Sequence, residues 1–139
     1  MKKNILFRIV LTMIIVVVSA ACCKKDDPVS PISPPKWIQG EWEWSLVDED
    51  SFTILTYLFT SNDLIMTAKM DAYENPIKYV ISDMANSNNL WTVTETIKTD
   101  ETYEITLTGP AQTVYHFKKG DGTYIEIVTN EILMRLNKK

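Results

Sequence analysis

The chain has 139 residues and is weakly acidic, with 18 aspartate and glutamate residues against 14 lysine and arginine residues, a formal net charge of −4. Because a negative surface repels phosphate backbones, this composition argues against nucleic-acid binding. The two cysteines, Cys22 and Cys23, are adjacent and could close no loop. The rest of the chain therefore has no disulfide framework and no thiolate metal site.

Residues 1–21 have the three parts of a secretion signal peptide. Lys2, Lys3 and Arg8 form a positive start, residues 9–18 form an apolar run of ten, and small residues follow at 19–21. Ten helical residues rise about 15 Å, whereas a bilayer core needs about 20 residues. A cleaved signal is therefore favoured over a retained anchor helix. Its removal would leave 11 positive against 18 negative residues, a net charge of −7.

A cysteine directly follows the small residues Ala20 and Ala21. This arrangement resembles the lipobox of bacterial lipoproteins, in which the cysteine sulfur receives fatty acyl chains and becomes the first residue of the mature protein. The resemblance implies lipidation at Cys22. Cys23 stays open as the alternative, because the charged residues that follow would then lie nearer their usual register.

Residues 24–27, Lys-Lys-Asp-Asp, resemble the export signal that sends some Gram-negative lipoproteins to the outer face of the outer membrane. The resemblance implies a lipid-anchored protein that faces the cell exterior. The acidic mature chain offers no basic patch for anionic lipid, so we expect contact with the membrane through the acyl chains alone. The alternative is a charged linker without a sorting role.

Residues 22–36 are predicted to be the lipidated cysteine and a tether. Four prolines fall between residues 24 and 36, and proline-rich segments favour polyproline II with a rise of about 3.1 Å per residue. We expect this tether to be disordered in solution and to allow a separation of up to about 40 Å from the membrane.

Residues 37–139 are predicted to be one all-β domain. Tyr103, Ile105 and Leu107 alternate with polar residues, which is typical of a half-buried strand. A helix over residues 64–73 is the alternative for one segment. Trp91, Val93 and Ile97 are predicted to share one face of another strand. Nine candidate strands joined by short turns predict a small antiparallel up-and-down barrel of eight to nine strands; they cover residues 42–46, 54–59, 64–70, 77–81, 91–97, 102–108, 115–117, 125–127 and 132–136.

Gly40-Glu41-Trp42, at the start of the first strand, resembles the Gly-x-Trp motif of lipocalins and of small lipocalin-like secreted domains. The resemblance extends loosely over residues 37–138. It implies close backbone passage at Gly40 and a Trp42 side chain that plugs the closed end of the barrel. Arg135, on the last strand, is the candidate to pack over that tryptophan, although its parity favours the outer face.

Residues that could carry catalysis are sparse. His116 is the only histidine, and its alternation with Tyr115 and Phe117 places it on the outer face. The acidic run Asp48 to Asp50 lacks the spacing of a calcium loop and is expected to be a solvated turn. No nucleophile elbow or phosphate loop is present. We therefore predict a protein that is not an enzyme, with no cofactor and no metal site.

Two functions remain open. The domain is either an interaction or accessory module for a protein partner at the cell surface, or a carrier or sensor of a small apolar ligand. Outward-facing apolar residues favour the first function, namely Ile54, Leu58, Val114 and Val128. Aromatic residues are the candidates to line a ligand cavity for the second, and the alternative role of the tryptophans is to fill the core; these candidates are Trp42, Trp44, Tyr57, Trp91 and Tyr103.

Overall fold

The computed structural model describes residues 30–87 and 90–139. The predicted signal peptide, both cysteines and the charged residues after them lie outside the described residues. Among the described residues, no helix has the length and apolarity that crossing a membrane would require. The elements are β1 (Gly40–Val47), β2 (Phe52–Phe59), β3 (Leu64–Met70), β4 (Ile77–Val80), α1 (Ile81–Asn86), β5 (Thr92–Lys98), β6 (Thr102–Thr108), β7 (Gln112–Lys119), β8 (Tyr124–Thr129) and β9 (Ile132–Lys138).

The nine strands form one sheet in the order β4-β3-β2-β1-β9-β8-β7-β6-β5, and every neighbouring pair is antiparallel. Each strand pairs with the next strand in sequence except that β4 does not pair with β5, and β1 also pairs with β9. The prediction of an all-β, antiparallel up-and-down barrel is confirmed. The barrel is interrupted between β4 and β5, where the chain passes through α1 instead of pairing the two strands.

The sheet curls until its opposite walls touch. The rings of Phe59 on β2 and Phe117 on β7 have centroids 5.0 Å apart, and Phe59 lies 6.3 Å from Tyr103 on β6. Three strands separate β2 from β7 in the sheet order, so these contacts cross the barrel interior. Edge-to-face aromatic pairs of this kind stabilise a core beyond their buried area.

We call the end where β1 begins the closed end and the end where β1 finishes the open end. The closed half is filled by side chains with almost no exposure, such as Trp42, Phe59, Tyr103, Phe117 and Leu136. Towards the open end the inward-facing side chains are only partly buried, including Trp44, Leu55, Tyr115 and Met134. The core is therefore concentrated at one end of the barrel.

The helical alternative for residues 64–73 is wrong, because Leu64–Met70 is strand β3. Helix α1 was not predicted; residue Ile81, expected to end a strand, begins this helix and is fully buried. The first turn has no side-chain cap of its own. Asp63, in the β2–β3 loop, accepts hydrogen bonds from Ser82 N at 3.1 Å and Ser82 Oγ at 2.6 Å. A carboxylate at this position satisfies free N–H groups of the helix start.

The expectation of a disordered tether is wrong for residues 30–36. Ile32 belongs to the hydrophobic core, with 3% of its surface exposed. The backbone N–H of Ser33 donates to Glu95 Oε1 at 2.7 Å, and Lys98 Nζ donates to Ser33 O. The Trp37 ring N–H donates to Thr99 O at 2.9 Å. This segment covers the closed end of the barrel, because Ile32, an apolar residue between prolines, packs into the core.

Candidate functional site

An apolar groove opens inside the barrel, between the β2–β4 wall and the β6–β7 wall. It consists of two adjoining cavities of about 150 and 320 Å³. Met66, Tyr79 and Tyr115 line both cavities and so join them. The larger volume is at the lower end of the range for small-molecule sites, roughly 300–1,000 Å³. Other lining residues are Leu55, Tyr57 and Ala68 in the smaller cavity and Met84, Trp91, Leu107 and Thr113 in the larger one.

Three tyrosines form the centre of the groove. Burial raises the pKa of Tyr57 to about 12, with a smaller contribution from the charge of Tyr115. Burial, followed by the charge of Tyr79, also raises the pKa of Tyr115. The phenols of Tyr57 and Tyr115 are therefore neutral at physiological pH. Their rings supply apolar surface, and their hydroxyl oxygens supply hydrogen-bonding groups, the combination typical of a small-molecule site.

The position of Trp91 at the groove depends on a glycine. A Cβ atom at Gly109 would lie 2.5 Å from the Trp91 ring, so the ring packs directly on the glycine backbone. Trp91 and Met84 line the larger cavity from the α1 side of the barrel. The helix therefore fills part of the gap between β4 and β5 and provides one wall of the groove.

The predicted ligand-lining residues separate into two groups. Tyr57 and Trp91 line the cavities. Trp42 and Tyr103 are fully buried in the closed half, and neither lines these cavities; Trp44 is half-buried against the core. The Trp42 ring N–H donates to Ile38 O at 2.6 Å, which satisfies its polar atom. Met66, Tyr79 and Tyr115 were not predicted, since alternation indicates which face a side chain occupies but not whether the opposite wall reaches it.

Two further expectations from the resemblance need correction. Backbone passage at Gly40 is not close, because a Cβ atom there would meet nothing within 4 Å. The glycine is instead explained by its φ of +121°, which other residues rarely adopt. Arg135 lies on the outer face, with its guanidinium 4.1 Å from the Tyr124 ring centroid. Lys138 is the cation over Trp42, at 5.6 Å.

Glu95 is a carboxylate on the inner face that sequence reasoning missed. It accepts a hydrogen bond from Tyr103 Oη at 2.7 Å and from the Ser33 backbone at 2.7 Å. A register shift between Glu95 and Ile97 pairs Ile97 with Glu104, so the prediction that Ile97 shares a face with Trp91 is wrong. A bulge reverses the alternation of every later residue in the strand. Burial, then the bond to Glu95, raises the pKa of Tyr103 far above its usual range.

The outer wall carries a polar cluster on β5, β6 and β7. His116 Nδ1 lies 2.8 Å from Glu104 Oε2, and the Thr96 hydroxyl donates to the other oxygen of Glu104 at 2.7 Å. The Thr96 bond, followed by the His116 bond, lowers the pKa of Glu104. In the part of the chain that the structure describes, no cluster of three or more His, Cys, Asp or Glu side chains could hold a metal ion. The outer wall thus carries a His116–Glu104 hydrogen bond and a partly exposed Arg135–Glu126 ion pair at 3.6 Å.

The loops at the open end are acidic. Residues 48–51, 71–76, 109–111 and 130–131 connect the strands there. These four loops contain six acidic residues and no lysine, arginine or histidine. The basic residues of this half lie on strands, and their register partners on the neighbouring strands face the outside of the barrel; these residues are Lys69, Lys78 and Arg135. The groove therefore opens among negative charges; these are Asp48, Glu49, Asp50, Asp71, Glu74 and Glu131.

Comparison with known proteins gave no match to a family model, a curated protein or a solved structure. The site must therefore be interpreted from its own geometry and chemistry.

Proposed function

We propose that the protein is a lipid-anchored carrier or sensor whose half-open barrel binds a small apolar ligand. The observation that supports this function best is the groove of about 320 Å³ lined by Met66, Tyr79 and Tyr115. Filling of the barrel stops half-way along the strands, although β2 and β7 continue with inward-facing apolar residues. A ligand would bury surface that the protein leaves partly exposed, and this burial is favourable.

The first test is native mass spectrometry of the protein isolated gently from its own cells. A retained small molecule of constant mass is expected. Thr113→Phe would place a large ring in the larger cavity, and it should abolish the adduct. Val114→Phe is the matched control, because Val114 is the next residue and lies on the other face of β7. Equal adduct in both variants would place the ligand outside the groove, and no adduct in the unsubstituted protein would count against carriage.

The proposed location is the outer face of the outer membrane, with acyl chains on Cys22. The support is the sequence pattern of residues 1–27. Cys22→Ser should abolish labelling by radioactive palmitate, whereas Cys23→Ser should retain it. The reverse result would make Cys23 the anchor. If only the unsubstituted protein is labelled, both cysteines are required. If both single variants are labelled, the result counts against a single anchor.

A second candidate function is an interaction module, favoured by the seam between β1 and β9. Only Trp42 and Glu43 of β1 have register partners on β9. Beyond them both strands continue without pairing to each other, and four apolar side chains there are more than half exposed. Unpaired strand edges with apolar side chains are sites where an extended peptide can add as a further strand. The exposed residues are Leu46, Val47, Ile132 and Leu133.

This second function is tested by a photoreactive amino acid introduced at Val47 in whole cells. A discrete crosslinked protein is expected from this position if a partner adds to the seam. The same group at Val114, on the outer wall of β7, is the control. Crosslinks that are equal at both positions, or absent at Val47, would count against the interaction module.

A further inference from the structure

We propose that the ligand of the groove is an organic cation, a molecule with an apolar body and a positively charged head. This inference rests on the proposed function and specifies the chemistry of its ligand. The groove supplies the apolar surface for the body, and the open end supplies two features that select the charge of the head. These features are the acidic loops and the aromatic rings at the mouth.

The first feature is the charge of the loops around the mouth. The β3–β4 loop brings Asp71 and Glu74 to the end of the wall formed by Ala68 and Tyr79. This loop lies beside the β1–β2 loop, because Asp71 N donates to Phe52 O at 3.3 Å. Asp48, Glu49 and Asp50 are therefore near the same mouth. Charges in loops around a cleft attract a ligand of opposite sign and repel one of the same sign. A fatty-acid carboxylate would be disfavoured at this position.

The second feature is the aromatic lining. Tyr79, half-exposed on the last strand of its wall, lines both cavities together with Tyr115. Ring faces attract cations, and aromatic clusters recognise quaternary ammonium groups. The cation is expected beside Tyr79, between the aromatic lining and the acidic loops, with the apolar body towards Met66 and Leu107.

The charge distribution at the other end supports this assignment. Loops of the closed end also contain acids, including Asp100 and Glu101, but six lysines lie among or beside these loops. The open-end loops have only Lys69 and Lys78 within two residues in the chain, so the acidic surplus is larger at the end where the groove opens. Those lysines are Lys36, Lys98, Lys118, Lys119, Lys138 and Lys139.

Three probes with the same decyl chain test the proposal: decyltrimethylammonium, decanol and decanoate. Their affinities are measured by isothermal titration calorimetry below micelle formation. The protein starts at residue 22 with both cysteines replaced by serine, so every described residue is retained. We expect decyltrimethylammonium to bind about tenfold more tightly than decanol at an ionic strength of about 0.01 M, and decanoate to bind most weakly. The preference for the cation over decanol should nearly vanish at an ionic strength of about 1 M, where the Debye screening length is only about 3 Å.

The double variant Asp71→Asn, Glu74→Gln should lose several-fold affinity for the cation and none for decanol. Asp100→Asn, Glu101→Gln is the matched control, because it removes the same charge from exposed loop residues at the closed end. Equal binding of cation and alcohol, or equal losses in both double variants, would overturn the cation proposal while leaving the apolar carrier intact. If none of the three probes binds, the cation proposal and the proposed function fail together.

Discussion

The two halves of the barrel are built from the same strands and yet are packed differently. On β2, Phe59 is fully buried near the closed end, whereas Leu55 is partly exposed towards the open end. On β7, the same is true of Phe117 and Tyr115. The strand pattern determines which side chains face inward in both halves. Whether they meet the opposite wall depends on strand pairing, and β1 and β9 have register partners only near the closed end. A filled core and a binding groove can therefore share one alternation pattern.

Truncation of one aromatic residue in each half tests this difference in packing. Phe117→Ala should reduce the free energy of unfolding by about 3–5 kcal/mol, because it leaves a cavity among Tyr57, Phe59 and Tyr103. Tyr115→Ala should cost only about 1–2 kcal/mol, since its ring already borders open space. Urea denaturation measures both values.

Phe117→Ala could fall below the stability needed to fold, given typical totals of about 5–15 kcal/mol. Phe117→Leu, which removes less volume, should then show an intermediate loss that still exceeds that of Tyr115→Leu. Equal losses at the two positions would mean that the open half is packed as tightly as the closed half.

The role of the N-terminal segment is tested by Ile32→Ala. Ile32 is buried in the core at the closed end, so a loss of about 2–4 kcal/mol is expected in the free energy of unfolding. Leu133→Ala is the control, since Leu133 is 64% exposed and should change stability by less than about 0.5 kcal/mol. A negligible effect of Ile32→Ala would restore the interpretation of this segment as a free tether.

Helix α1 provides the next test, because it closes the groove on one side. Asp63→Ala removes the acceptor for Ser82 N, Ser82 Oγ and Leu64 N. A loss of about 1–3 kcal/mol is expected, since the donors lie in a partly buried site. Asp121→Ala is the control, with bonds only to Thr123 in its own exposed turn, and its effect should be smaller. Hydrogen exchange should show faster opening of α1 in Asp63→Ala alone; unchanged exchange would contradict the anchoring role.

These elements also show how far the sequence could be interpreted. The strands were predictable, because alternation over residues such as Tyr103, Ile105 and Leu107 has a local cause. Helix α1 was not, because it has six residues and its carboxylate partner, Asp63, is 19 residues from Ser82 in the chain. The outward position of Ile97 depends on a bulge between Glu95 and Ile97, which no composition signal marks. The groove depends on the separation of two walls, a property of the whole sheet.

The smallest expected effect concerns acid pH and the outer wall of the closed half. Hydrogen bonds from Thr96, followed by those from His116, hold the pKa of Glu104 below its usual value of 4.5. A lowered carboxyl pKa stabilises the folded protein above the usual value, and this contribution is lost as the pH falls through the folded pKa. Thr96→Val and His116→Gln should therefore each raise the pKa of Glu104, because each replaces a side chain that hydrogen-bonds the carboxylate; NMR titration of the Glu104 carboxyl carbon measures the change. An unchanged pKa of Glu104 in Thr96→Val would contradict this role of the Thr96 hydroxyl. Neither variant should alter ligand binding, because Glu104 and His116 lie on the outer face of β6 and β7, whereas Tyr115 faces the groove from the inner face.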